Sequence, residues 1–287
     1  GAETAANVTT GVDNVMMGKA AGVTATTSSG SVFIGRSAGN AVTTGNQNIA
    51  IGKDAMAGAA TTGDRNIVIG REAGRLLTSG HSNVLIGDEA GTNITTAREN
   101  VVIGKGAYAN ANTSENFAVV VGYNAANNVD GIDNVVAIGH SALSTMVAVD
   151  GNTAVGFEAG KVTTGANNTL IGHQAGKGAA GTDENNTAVG YQALMSVAAG
   201  DQNTAVGGVA LKDVNSGEDN VAVGYGAGEN LTTNSKNVHI GRNAGANLAA
   251  GIDGTIAIGF SALDAAVDTG HYTIAIGQHA LGALTSG

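Results

Sequence analysis

Residues 186–194 read NTAVGYQAL and residues 203–211 read NTAVGGVAL, the same phrase with two residues changed, seventeen positions apart. Taking the glycine of NTAVG as an anchor, the phrase recurs at Gly18, Gly35, Gly52, Gly70, Gly87, Gly104, Gly122, Gly139, Gly156, Gly172, Gly190, Gly207, Gly224, Gly241, Gly259 and Gly277. Of the fifteen steps, nine are 17 residues, five are 18 and one is 16, so the frame holds along the whole chain. A period of this length marks a repeat architecture in which no single unit buries its own apolar face. The expected organisation is one array over residues 1–287, with residues 1–10 as a lead-in.

Each slot of the phrase states a demand. The residue before the anchor is Ile or Val in fifteen copies and Met17 in the other, and two residues earlier stands Val, Ile or Thr. β-branched residues at alternate positions predict a short β-strand in every copy. Three residues past the anchor is Ala in all sixteen copies, from Ala21 to Ala280, which marks a space that admits a methyl group and little more. Stacked phrases of this kind predict an all-β fold, a β-solenoid or β-roll of about sixteen coils of ~17 residues. Asn opens the strand in eleven copies, among them Asn48, Asn66, Asn83, Asn186 and Asn203. Two readings of that Asn stand: an amide ladder from coil to coil, or a turn residue tolerant of left-handed backbone.

With the two β-branched slots taken as inward, the residue between them faces away from the coil. That residue is apolar in fifteen of sixteen copies, and includes Phe33, Val68, Leu85, Val102, Val120 and Leu170. An outward apolar stripe along a rod calls for a partner, and the economical partner is the chain itself. These six residues are therefore expected to line the axis of a homo-oligomer, with three chains the favoured number.

Composition narrows the class. There are 46 Gly, no Pro, Cys or Trp and only 3% aromatic residues, while 43% of the chain is hydrophobic. This suits a thin, regular Ala/Val/Ile core rather than an ordinary enzyme core, and is too apolar for disorder. Without cysteine there is no disulfide framework or thiolate metal site. A net charge of −10 with no basic tract argues against nucleic acid as a partner. No apolar run approaches the ~18 residues needed to span a bilayer, so no membrane insertion by this segment is expected. Residues 1–10 and 282–287 show no obvious cap, so either neighbouring domains flank the array or coils join end to end.

Candidate chemistry dissolves into the frame. GRSAG at 35–39 matches a nucleophile-elbow pattern, but the slot of Ser37 holds Asp54, Glu72, Glu89, Gln174 and Gln192 in other copies. GYGAG at 224–228 lacks the lysine and following helix of a phosphate loop. His81, His140, His173, His239, His271 and His279 have no ligand spacing within a coil. The acidic loops VDGID (129–133) and TDENN (182–186) lack the periodic Asp of calcium-binding repeats. Sequons such as Asn7 and Asn112 follow from an Asn- and Thr-rich composition, and loop Thr pairs such as Thr43–Thr44 drift relative to the anchor. No catalytic, metal or cofactor site is expected, and the chain is not expected to be an enzyme.

The slot just after the anchor stands apart. It holds Lys19, Arg36, Lys53, Arg71 and Lys105 early, then Tyr123, Phe157, Tyr191, Tyr225 and Phe260, five of only nine aromatic residues. Such a file could stack on sugars or a host receptor, or serve lateral packing along the rod or between chains.

The phrases NIAIGKDA (48–55), NVVIGKGA (100–107) and TIAIGFSA (255–262) resemble the head repeats of YadA-like trimeric autotransporter adhesins. NTAVGYQAL is similar to shaft repeats of bacteriophage tail fibres. The resemblance covers all sixteen copies. It implies a left-handed parallel β-roll, a homotrimer, and an extracellular, cell-surface or virion location. The coils are longer than the compact adhesin-head repeat, which places the extra residues in outward loops. The expected role is a structural or adhesive fibre segment, a stalk or head mediating attachment. The alternatives are a glycan- or receptor-binding module and a self-assembling extracellular filament subunit.

Overall fold

A computed structural model describes residues 3–110, 114, 116–129, 133–145, 150–178, 183–264 and 271–282. Within them every strand is three residues long and immediately precedes an anchor glycine. The chain divides into two units, Gly1–Asp150 and Gly151–Gly287. The first holds β1 (Val15–Met17), β2 (Val32–Ile34), β3 (Ile49–Ile51), β4 (Ile67–Ile69), β5 (Val84–Ile86), β6 (Val101–Ile103), β7 (Val119–Val121) and β8 (Val136–Ile138). The second holds β9 (Thr153–Val155), β10 (Thr169–Ile171), β11 (Thr187–Val189), β12 (Thr204–Val206), β13 (Val221–Val223), β14 (Val238–Ile240), β15 (Ile256–Ile258) and β16 (Ile274–Ile276).

In each unit consecutive strands pair in parallel and in register, as in Ile49↔Ile67 or Thr187↔Thr204. Each unit is thus a parallel β-solenoid, and no helix occurs among the described residues. Coil-to-coil hydrogen bonding continues past the strands, for example Ser37 N–H to Lys19 O and Gly39 N–H to Ala55 O, both 2.9 Å.

The anchor is glycine for two reasons. Its φ lies between +124° and +141°, a region that side chains disfavour. Its Cα also packs on the next coil's backbone: a Cβ on Gly35 would lie 2.6 Å from the carbonyl oxygen of Gly52. The Ala slot is as tight as its composition implies, with Ala21 through Ala262 fully buried and Ala280 half-buried.

The strand faces are the reverse of the expectation. Phe33, Val68, Leu85, Val102, Val120 and Leu170 lie inside their own coils, at 0–1% exposure, and do not form an outward stripe. The flanking β-branched residues face out. The reason is a compensation of volume across the coil. Where the strand centre is large (Phe33, Leu85, Leu170, His239), the residue four past the anchor is Gly39, Gly91, Gly176 or Gly245. Where the centre is Ala50, Ala137, Ala188, Ala205 or Ala257, that residue is Met56, Leu143, Leu194, Leu211 or Leu263, all fully buried. The two slots fill one space. A Cβ on Gly39 would lie 2.5 Å from the Phe33 ring, and those on Gly176 and Gly245 would collide with Leu170 and His239. Close packing allows one large side chain per pair in these coils, while Val102–Tyr108, with both members buried, and Ala154–Gly160 and Ala222–Gly228, with neither large, depart from the pairing.

The Asn ladder is present in both units. Asn66 donates its backbone N–H (2.9 Å) and side-chain Nδ2 (3.1 Å) to Asn48 Oδ1, and Asn83 and Asn100 repeat the pattern. In the second unit Asn168, Asn186, Asn203, Asn220 and Asn237 each donate a backbone N–H to the preceding Asn. The left-handed residue is the one before the Asn, as at Gln47 (φ 56°) and Arg65 (φ 59°). The amide is thereby free to bond along the stack.

Candidate functional site: a file of ions and rings, and an apolar stripe

Because the anchor bends the chain out of the strand, the next residue projects from the surface, and coil stacking repeats that position at about 4.8 Å. In the first unit the file is ionic. Arg36 and Lys53 approach Asp54 at 3.5 and 3.7 Å. Arg71 is a hub, with Glu72, Asp88 and Glu89 at 2.8, 2.8 and 2.6 Å, and Lys105 reaches Asp88 at 3.6 Å. The hydrogen bonds to Asp88 and Glu89 hold the Arg71 guanidinium above its ordinary pKa. Tyr123, farther along in that unit, meets His140 at 5.1 Å between centroids with the rings tilted by 31°.

In the second unit the file is aromatic. Phe157, His173 and Tyr191 form a continuous stack with centroid separations of 5.0 and 5.5 Å. Arg242 lies 5.9 Å from the ring centres of both Tyr225 and Phe260. Phe260 meets His279 edge-on at 5.2 Å. Tyr123, Phe157, Tyr191, Tyr225 and Phe260 are 41–57% exposed.

A second surface feature escaped the sequence reading. The residues flanking each strand centre form an outward row of Val, Ile and Thr in each unit. Ile67, Ile103 and Ile138 in the first unit, and Ile171, Val206, Val223 and Ile240 in the second, are 36–39% exposed. Both strand faces are apolar in composition, so alternation alone could not say which is inside. The size compensation across the coil is the signal that decides it.

The remaining candidates fall where the frame puts them. Ser37 occupies a left-handed turn position (φ 57°), as do Asp54, Glu72 and Gln174 in the same slot. Among the described residues no group of three or more His, Asp or Glu is arranged to hold a metal. They include no helix long and apolar enough to cross a membrane. Residues 1–2 and 283–287 of the chain ends, Asn112, and residues 130–132 and 182 of the two acidic loops lie outside the described residues.

Two buried titratable groups belong to the second unit. His239, at the centre of β14, bonds Thr255 Oγ1 through Nε2 at 2.9 Å, while its Nδ1 has no partner. Burial lowers its pKa to about 4. Asp183 stands where Gly165 and Gly200 stand in neighbouring coils, and both its carboxylate oxygens lack hydrogen-bond partners. Burial, with Asp201 adding to it, raises its pKa to about 7. By contrast, hydrogen bonds from Lys161, Lys177 and Gln174 hold Glu158 down to about 2.

No protein-family model matches this sequence, and no curated protein is significantly similar to it.

Proposed function

We propose that the chain is a segment of an extracellular, cell-surface or virion fibre, a left-handed β-roll that trimerises and serves attachment as a stalk or head. The outward Val/Ile row carries this reading. An apolar row repeated at every coil is larger than a surface leaves bare without use. A second and third copy present the same row at the same coil spacing, so copies cover one another in register. The reading assigns no catalytic step. Its test is solution mass by light scattering across a range of concentrations. A stable mass near three times 27.9 kDa is expected, and the double variant Val206→Lys/Val223→Lys, altered only at outward positions, should fall to a monomer while keeping its β-sheet spectrum. A native chain that is monomeric throughout sinks the proposal.

A second reading is favoured by the exposed rings of Phe157, Tyr191, Tyr225 and Phe260: the file recognises a glycan on a host surface. Flat, partly exposed rings offer stacking faces to sugar C–H groups at low entropic cost.

A further inference from the structure

The file after the anchor has one gap. Fifteen of its sixteen positions carry a side chain, and the exception is Gly208. Unlike the anchors, Gly208 is not among the positive-φ glycines, so its backbone does not require glycine. The gap is flanked by the two most exposed rings of the file, Tyr191 and Tyr225, at 54% and 57%. Strand register places them two coils apart, since Thr187 pairs with Thr204 and Thr204 with Val221. Two coils are about 9.6 Å, and a flat ring midway would sit about 4.8 Å from each wall, within the range of ring–ring packing. The preceding stretch shows the position filled in just this way: His173 lies between Phe157 and Tyr191.

We propose that the gap at Gly208 is a slot for one pyranose ring of a carboxylated glycan, walled by Tyr191 and Tyr225; this rests on the glycan reading of the ring file. Gly207 and Gly208 supply a floor without side chains. Tyr225 leans over that floor, since a Cβ on Gly208 would lie 3.2 Å from its Cδ2. An exposed ring changes rotamer on the picosecond to nanosecond scale, so it can swing back as a sugar enters. Polar groups border the slot. Gln192 donates its Nε2 to Gln174 at 2.9 Å, which leaves its amide oxygen for a sugar hydroxyl. On the far side of Tyr225, Arg242 makes no ion pair among the described residues, and its guanidinium is placed for a carboxylate on the next sugar of the chain. That unpaired cation selects a carboxylated glycan over a neutral one.

The test is calorimetric titration of the full chain with a galacturonate hexamer. Binding is expected, weakened about tenfold by Gly208→His, which fills the slot with the residue already stacked at His173, and about as much by Tyr225→Ala. Arg242→Gln should weaken it severalfold at low salt and little at high salt, and Tyr272→Ala, at an exposed ring outside the file, should leave it unchanged. Absence of binding to the native chain at millimolar hexamer overturns the proposal. Full affinity in Gly208→His with loss in Tyr225→Ala removes the slot while leaving the file a glycan binder. Loss in both with a fall in solution mass makes the file a contact between copies, and the proposal fails.

Discussion

One slot of the coil carries ions from Lys19 to Lys105 in the first unit and rings from Phe157 to Phe260 in the second. The backbone beneath is the same: an anchor glycine of positive φ, a left-handed residue two positions on, and a buried Ala three positions on. The coil dictates where the side chain stands and how far from its neighbour, and leaves its chemistry open. The two solutions differ in what they require of the surroundings. A column of cations repels itself, so the first unit supplies acids beside it at Asp54, Glu72 and Glu89 and one within it at Asp88. A column of rings satisfies itself by stacking, and the only cation in its midst, Arg242, sits over rings rather than beside a carboxylate.

The largest test concerns the frame that both units share. Leu85→Ala in the first unit and Leu170→Ala in the second each empty a space opposite a glycine, Gly91 or Gly176, and should cost about 2–5 kcal/mol in urea unfolding. Ile103→Ala and Ile171→Ala, on the outer row, should cost well under half as much under conditions where the chain is monomeric. Equal costs would mean that the strand faces are misassigned.

Next in size are the groups that set the units apart. The unfolded chain protonates His239 below about pH 6.5, whereas the folded chain resists until about pH 4. Stability should therefore fall by about 3 kcal/mol as pH drops through that window. His239→Leu, which reproduces the Leu170–Gly176 pairing at Gly245, should remove this fall when melting is followed against pH. Asp183 works in the opposite sense. Its folded pKa of about 7 lies above the ordinary 3.8, so its burial costs nothing extra at low pH and increasingly more as pH rises toward 7. Asp183→Ala should stabilise the chain by up to about 4 kcal/mol at neutral pH, and the gain should vanish near pH 4. A gain that persists there would place the strain elsewhere.

The smallest effects separate the two files directly. Arg71→Ala should lower the melting temperature slightly in dilute buffer and hardly at all in molar salt, because exposed ion pairs are screened. Tyr191→Ala should produce a shift of similar size that salt leaves unchanged, because ring stacking does not depend on net charge. If both respond alike to salt, the contrast between the files fails.

Much of this was open to reading in the sequence. Every strand sits where the Ile/Val alternation before the anchor places it, the all-Ala slot is as crowded as its composition implies, and Tyr191 and Tyr225 project as a surface file would. The strand faces were not, because Val32, Phe33 and Ile34 are apolar on both sides and alternation gives two equal answers. Taking the β-branched pair as inward follows from their fit to a pleated strand alone, yet the core accepts Phe, Leu, His or Ala at the strand centre, in most coils with the slot opposite answering in volume. That answer is written in pairs such as Phe33–Gly39 and Ala188–Leu194, six residues apart, and only comparison of coils reveals it. Asp183 and His239 were illegible for a related reason: a polar residue in a varied column gives no sign of burial until its neighbours are in place.

The pairing of large with small inside a single coil has a consequence for how such a chain can grow or shorten. A coil whose two slots balance, such as that of Ala188 and Leu194, fills its own space, and where its large side chain does not lean on a neighbour it behaves as an interchangeable cassette. It can be duplicated or excised between anchors without repacking what lies on either side. The coil of Ala222 and Gly228 is different, since Leu211, Leu231 and His239 all reach toward Gly228. It is mortared to the coils around it and is a poor place to cut. Length is then adjustable at coils whose large side chains stay within their own space, and the coils joined at Gly22, Gly74 and Gly228 mark places where it is not.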